Sequence, residues 1–205
     1  MAISTYAELQ AAIADWLNRD DLTPVIPTFI ALAEAEFNRR LRTQRMLSRA
    51  STTATDEYED LPDNFLQMRS VHASADPIQR LEFVTPANFL DLPCVGQAGR
   101  PEFFTVLGAQ LCLAPVPKNE PIKLVYFSKI PALSDAAPAN WLLDMAPELY
   151  LHASLGHAAP YIRDDQRVSG WKQLAEDQIN EINEADKRAA FNAGPLLMRT
   201  AGPTP

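Results

Sequence analysis

Asp56, Glu57, Glu59 and Asp60 place four carboxylates within five positions, the densest acidic group in the chain. Paired carboxylates carry out general acid–base chemistry when their surroundings drive the two pKa values apart. Such a separation needs desolvation, and a run this dense reads as a solvated turn. The three histidines are His72, His152 and His157. His152 and His157 are five positions apart, so on a helix they point in different directions and share no metal. Cys94 and Cys112 fit neither a metal-ligand spacing nor a multi-disulfide framework, and a reducing compartment during synthesis is the simplest reading. No G-x-S-x-G, P-loop, dinucleotide-binding glycine pattern or H-E-x-x-H occurs. The chain therefore reads as a non-enzyme, with no catalytic residue, metal ligand or cofactor expected.

The strongest basic feature is the arginine group Arg39, Arg40, Arg42, Arg45 and Arg49. It reads either as compensation of a helix C-terminus with internal ion pairing or as a surface for an acidic partner or phosphate. Trp16, Trp141 and Trp171 fall on apolar stripes and are expected to pack in the core.

These residues must be positioned by a chain of 205 residues, 47% of them hydrophobic, which suffices for a core without metals or disulfides. The formal charge of −8 opposes general nucleic-acid binding, which depends on neutralising phosphates. No apolar run approaches the roughly 20 residues that span a bilayer, so no membrane association is expected. The residues from Met1 to Thr5 show no signal-peptide pattern. Seventeen prolines against seven glycines favour stiff connections.

Helix is expected first. Thr5 and Glu8 form a capping box, and Leu9, Ile13, Trp16 and Leu17 recur on one face. Asp20, Asp21, Thr23, Pro24 and Pro27 interrupt, and a second helix is predicted from about Thr28 to Thr43, burying Ile30, Ala33, Phe37 and Leu41. From Ser51 to about Leu133 the pattern changes to strands and turns. Phe103 to Leu107 and Gln110 to Ala114 flank a Gly108-Ala109 hairpin turn. With Ile122 to Phe127 they read as an antiparallel meander whose bounding prolines Pro115, Pro117 and Pro121 guard strand ends. Thr85 to Leu90 reads as a short capped helix. Helix returns with one turn over Trp141 to Met145. A nearly all-round apolar helix follows from Pro147 and Glu148 to about Ala159 and belongs at a centre. A last helix, capped by Asp164 and Asp165, runs to about Phe191 with the stripe Val168, Trp171, Leu174, Ala175, Ile179 and Ile182. Asn192 to Pro205 cannot bury enough surface to order itself and reads as an extended tail.

The expected fold class is α+β, mainly α: a four-helix bundle (1–50 with 135–191) carrying an antiparallel β-rich insertion (51–134) and a C-terminal tail (192–205).

Several segments in this order resemble a known family. They are Thr5-Tyr6-Ala7-Glu8-Leu9-Gln10 with Ile13-Ala14-Asp15-Trp16-Leu17, then Phe29 to Arg42, then the meander with Gly108, Leu113 and Pro115. Tyr126 to Asp135 leads on into Asn140-Trp141-Leu142-Leu143, Ala146 to Leu151, Ala153-Ser154-Leu155, and Tyr161 to Asp165 before Trp171. The series is similar to the head-to-tail adaptor (connector) proteins of tailed bacteriophages, the short-tailed-phage adaptors related to tail tubular protein A. The resemblance covers nearly the whole chain, and its motifs are structural.

The resemblance implies a virion protein, made in the bacterial cytoplasm and built into the head-to-tail interface. It implies a ring of roughly twelve copies beneath the portal, extending the DNA channel and docking the tail or nozzle. The expected partners are the portal ring, the tail or nozzle proteins and other copies of the chain. DNA is expected to pass without specific binding through an acidic lumen, whose repulsion decays within about 8 Å at physiological salt. Leu196, Leu197, Met198 and Arg199 in the tail are the expected portal contact, an apolar trio with no evident internal partner. Ring contacts are heterologous, with Arg39, Arg40, Arg42 and Arg45 and the acidic runs as candidates for the two opposing faces. The alternatives are another ring-forming part such as a head-completion stopper or tail terminator, and, more remotely, a hydrolase using the cluster at 56–60.

Overall fold

The computed structural model describes residues 3–162 and 165–190. The chain divides into two compact units, 1–44 with 134–205 and 45–133.

The first unit is helical. α1 (Tyr6–Leu17) begins as expected: Thr5 Oγ1 accepts from the Glu8 N–H at 3.3 Å, while Glu8 Oε2 accepts from the N–H groups of Thr5 (3.1 Å) and Ser4 (2.8 Å). It ends at Asn18, whose left-handed backbone (φ 51°) returns its N–H to Ala14 and Asp15. α2 (Ile26–Arg40) starts two residues before the expected position, because Pro27 sits in its first turn, where a missing N–H costs nothing. It also stops early, and α6 supplies the reason. Asn183 Oδ1 accepts from the Arg42 N–H at 3.2 Å, Asn183 Nδ2 donates to the Arg40 carbonyl at 3.2 Å, and Asp186 accepts from the Gln44 N–H at 2.9 Å. Backbone groups that a longer helix would have paired internally are bonded across to a neighbour instead.

α4 (Trp141–Met145) is capped by Asn140, whose Oδ1 accepts from Leu142 and Leu143. α5 (Pro147–Tyr161) buries nine residues around its circumference, including Leu149, Tyr150, Ser154 and Leu155. It is the hub on which α1, α2, α4 and α6 (Asp165–Ala190) each pack. The expected four-helix bundle is not confirmed: the described residues hold six α-helices, and those of this unit gather on α5.

Several expected core positions in this unit are not core, the half-buried Leu17, Val168 and Ile182 among them. Trp16 is 48% and Leu174 44% exposed, and Trp171 is half-buried. The α5–α6 seam is filled by Ala175 and Ile179, and Leu174 lies about 100° round the helix from Ala175. Trp16, one turn beyond Ile13, packs edge-on against Trp171 at 5.5 Å instead. Trp141 is likewise half-buried. Asp164 of the expected cap lies outside the described residues, as does the tail from Asn192 to Pro205.

The second unit holds two four-stranded sheets among its described residues. The first has the order β1 (Leu47–Ala54), β8 (Glu120–Ser128), β3 (Phe65–Ala73), β4 (Gln79–Arg80). The second has the order β2 (Tyr58–Asp60), β7 (Gln110–Ala114), β6 (Phe103–Leu107), β5 (Glu82–Phe83). Pairing is antiparallel except between β5 and β6. The two sheets share one core that includes Val71, Leu81, Phe104, Leu113, Ile122 and Tyr126. α3 (Pro86–Phe89) adds Phe89 against the buried Cys112 and Ala114.

The β6–β7 hairpin turns at Gly108, with φ 60°, as expected. The meander does not continue. β8 leaves this sheet and becomes a central strand of the other, between β1 and β3. Pro115 and Pro117 have no N–H to extend a ladder beyond β7, and β8 reaches its core by burying Ile122, Leu124 and Tyr126. Pro121 guards no edge either. It stands opposite Thr53 inside the sheet, and its carbonyl accepts from the Ser74 N–H at 2.7 Å.

Candidate interaction surfaces

The acidic cluster lies on the turn from β1 to β2 and on β2, an edge strand of the second sheet. Asp56 and Asp60 are exposed and Glu57 and Glu59 half-buried. Glu59 accepts from the Thr55 N–H at 2.9 Å and Asp60 from Gln110 Nε2 at 3.1 Å. None of the four is buried, so the desolvation that acid–base chemistry needs is not provided there.

The histidines are separated as the spacing predicts. His152 stacks on Trp171 (centroids 5.7 Å apart, planes 19°), with the edge of Trp16 at 6.2 Å and Gln178 Oε1 3.3 Å from its Nδ1. His157 lies elsewhere on α5, its Nε2 3.3 Å from Glu36 Oε2, an ion-pair distance without hydrogen-bond alignment. It borders a hollow of about 300 Å³ with Glu36, Arg39, Arg40, Lys172 and Glu176. His72 is on β3 of the other unit. Among the described residues no three His, Cys, Asp or Glu side chains are grouped to hold a metal. Both cysteines are free, and burial pushes the Cys112 thiol up. No described helix is long and apolar enough to cross a membrane.

The arginine group is divided in its use. Arg40 bridges Glu36 and Glu176, both at 3.0 Å. Arg42 turns its guanidinium back onto the carbonyls of Asn38 and Leu41. Both therefore help to close the end of α2. Arg39 and Arg45 keep exposed side chains, and Arg49 projects from β1. Leu196, Leu197, Met198 and Arg199 lie outside the described residues.

Three arrangements escape a reading along the chain. Asn140 Nδ2 donates to the Tyr150 hydroxyl at 2.7 Å, and that hydroxyl donates to Glu34 Oε1 at 3.4 Å, all three residues being buried. Burial pushes the Tyr150 phenol well up, so it remains a neutral donor. In the β unit an apolar hollow of about 500 Å³ is bordered by Phe65, Met68, Phe83, Phe104 and Val106. The outward face of the first sheet collects Arg49, Arg69, Arg80 and Lys123 from four different strands. The one signal available for that face is that 47–54, 65–73 and 79–80 contain no carboxylate at all.

What both units offer is shape and charged surface. No curated protein matches the chain. A family model, SU10 adaptor protein, matches residues 4–199 and so takes in nearly all of both units. The chain belongs to the SU10 adaptor protein family, the structural head-to-tail adaptors of short-tailed phage virions.

Proposed function

We propose that the chain assembles as a ring of roughly twelve copies directly beneath the portal, prolongs the DNA channel and presents a docking surface to the tail or nozzle. The observation that carries this is the adaptor match across 4–199, spanning both units. The charge of −8 supports passage of DNA without capture. The tail segment with Leu196, Leu197, Met198 and Arg199 is the proposed portal contact, because burying an apolar trio on a partner offsets the entropy of ordering it. Arg39 and Arg45 lead the arginine group as proposed subunit contacts, since Arg40 and Arg42 are already engaged within the chain.

Electron microscopy of the chain mixed with the portal ring of its own phage tests the reading. A ring seated on the portal is expected. A ring found only on tail components would point to a tail terminator, and one seated only on an intermediate protein to a stopper. A truncation ending at Phe191 is expected to lose portal binding, and full-strength binding by that truncation would remove the tail from the proposal.

A further inference from the structure

The first sheet of the β unit has one face in the core and one outside. Ala54, Val71, Ala73, Ile122, Leu124 and Tyr126 point inward. On the other side, register defines a row: Ser51 stands opposite Lys123, Lys123 opposite His72, and His72 opposite Arg80. Directly opposed residues share a face, so these four side chains project together. Arg49, two positions before Ser51 and opposite Val125, joins them. Arg69, at the irregularity between Met68 and Ser70, borders the same hollow as His72 and Arg80.

This face is cationic and unneutralised. Arg49, Arg69, Arg80 and Lys123 are all exposed, and none forms an ion pair or side-chain hydrogen bond among the described residues. The four strands contain a single carboxylate, Glu120, and it lies 3.4 Å from Arg100 at only 16% exposure. In a chain of charge −8, four free cations gathered on one sheet face carry a repulsion that an opposing charge would relieve. The same unit displays the complement elsewhere: Asp56, Glu57, Glu59 and Asp60 on the β1–β2 turn and the β2 edge, with no cation paired to any of them among the described residues.

We propose that the outward face of the β1-β8-β3-β4 sheet, through Arg49, Arg69, Arg80 and Lys123, docks the acidic β1–β2 turn of the next copy. This rests on the ring reading above and says which surfaces meet. Two different patches of one unit, opposite in sign, make a heterologous contact that repeats from copy to copy. Charge complementarity sets its register and speeds its formation. Protein fits this face better than DNA, because Val125 and the partly exposed Leu47 and Phe127 lie on the same side, and an apolar component of this kind has no use for phosphate.

Charge reversal tests both faces. One variant carries Arg49→Glu with Lys123→Glu, the other Asp56→Lys with Asp60→Lys. All four positions are surface residues, and unchanged circular dichroism and melting will verify folding. Self-association is read by sedimentation and native mass spectrometry, and assembly by imaging on the portal. Each variant alone is expected to weaken the subunit contact by about a hundredfold or more, as like charges meet. A one-to-one mixture is expected to restore assembly in alternating copies, and the chain with all four substitutions to restore it alone. Wild-type rings with equally good rings from each variant would overturn the proposal and leave the ring reading standing. Loss in each variant without rescue in the mixture would also overturn it. So would retention of double-stranded DNA at physiological salt that Arg49→Glu with Lys123→Glu abolishes while assembly persists. A wild-type chain that neither self-associates nor seats on the portal rejects the ring reading, and this proposal with it.

Discussion

In the helical unit Arg40 holds Glu36 and Glu176, and Arg42 folds back on the end of its own helix. In the β unit Arg49, Arg69, Arg80 and Lys123 meet nothing of opposite sign among the described residues. The helical unit also links Asn140, Tyr150 and Glu34 of its interior in one chain of hydrogen bonds. Side chains that already have partners build the scaffold. Those left without partners on a rigid sheet are available for contact between molecules, because the sheet holds them in place and only solvent competes. The arginines are chemically identical in the two units, so residue type does not distinguish the roles and only surroundings do.

Substitutions can break or sharpen this contrast. The largest effect belongs to the helical hub. Phe37 is fully buried with its ring 5.0 Å from that of Tyr150, so Phe37→Ala is expected to cost about 3–5 kcal/mol in urea unfolding. A loss below about 1 kcal/mol would deny α5 its place as hub.

Asn140→Ala comes next. It removes the acceptor for two backbone N–H groups and a donor to a buried phenol, for an expected loss of about 1–3 kcal/mol. Thr5→Ala should cost about 1 kcal/mol by unsealing α1. The same cap has a pH signature. Hydrogen bonds from the Ser4 N–H, then the Ser4 hydroxyl, hold the Glu8 carboxyl below its ordinary value of 4.5. A lowered folded-state pKa gives stability that is complete above the unfolded-state value and disappears as pH falls through the folded one. Thermal melts between pH 7 and pH 3 should therefore lose less for Glu8→Gln than for the parent chain, and parallel curves would count against the capping role.

The smallest effects compare the arginines directly. Arg40→Ala should cost up to about 1 kcal/mol by urea titration, since its pairs are partly screened. Arg49→Ala should change stability by less than about 0.5 kcal/mol. If Arg49→Ala destabilised the isolated chain more than Arg40→Ala, the division between scaffold cations and contact cations would collapse.

Much of this molecule is legible in the order of its residues. The Thr5–Glu8 capping box, the Gly108 hairpin, Pro147 at the head of a helix and the all-round apolar stretch from Leu149 to Ala158 are found as read. Each depends on interactions within a few positions: a cap bond, a turn dihedral, a helical repeat. Tertiary structure decided the rest. β8 could have paired beside β7 on pattern alone, yet it lies between β1 and β3, where remote segments cover both its edges. The end of α2 was settled by Asn183 and Asp186, about 140 positions away in the chain. Trp16 and Leu174 satisfied the helical repeat but not the width of the seams available to them. The cationic sheet face is the plainest case. Its residues are dispersed from Arg49 to Lys123, each an unremarkable exposed side chain in its own strand. Only strand register sets them side by side, and register is fixed by which faces are buried. Burial is a property of the assembled unit that no local stretch contains.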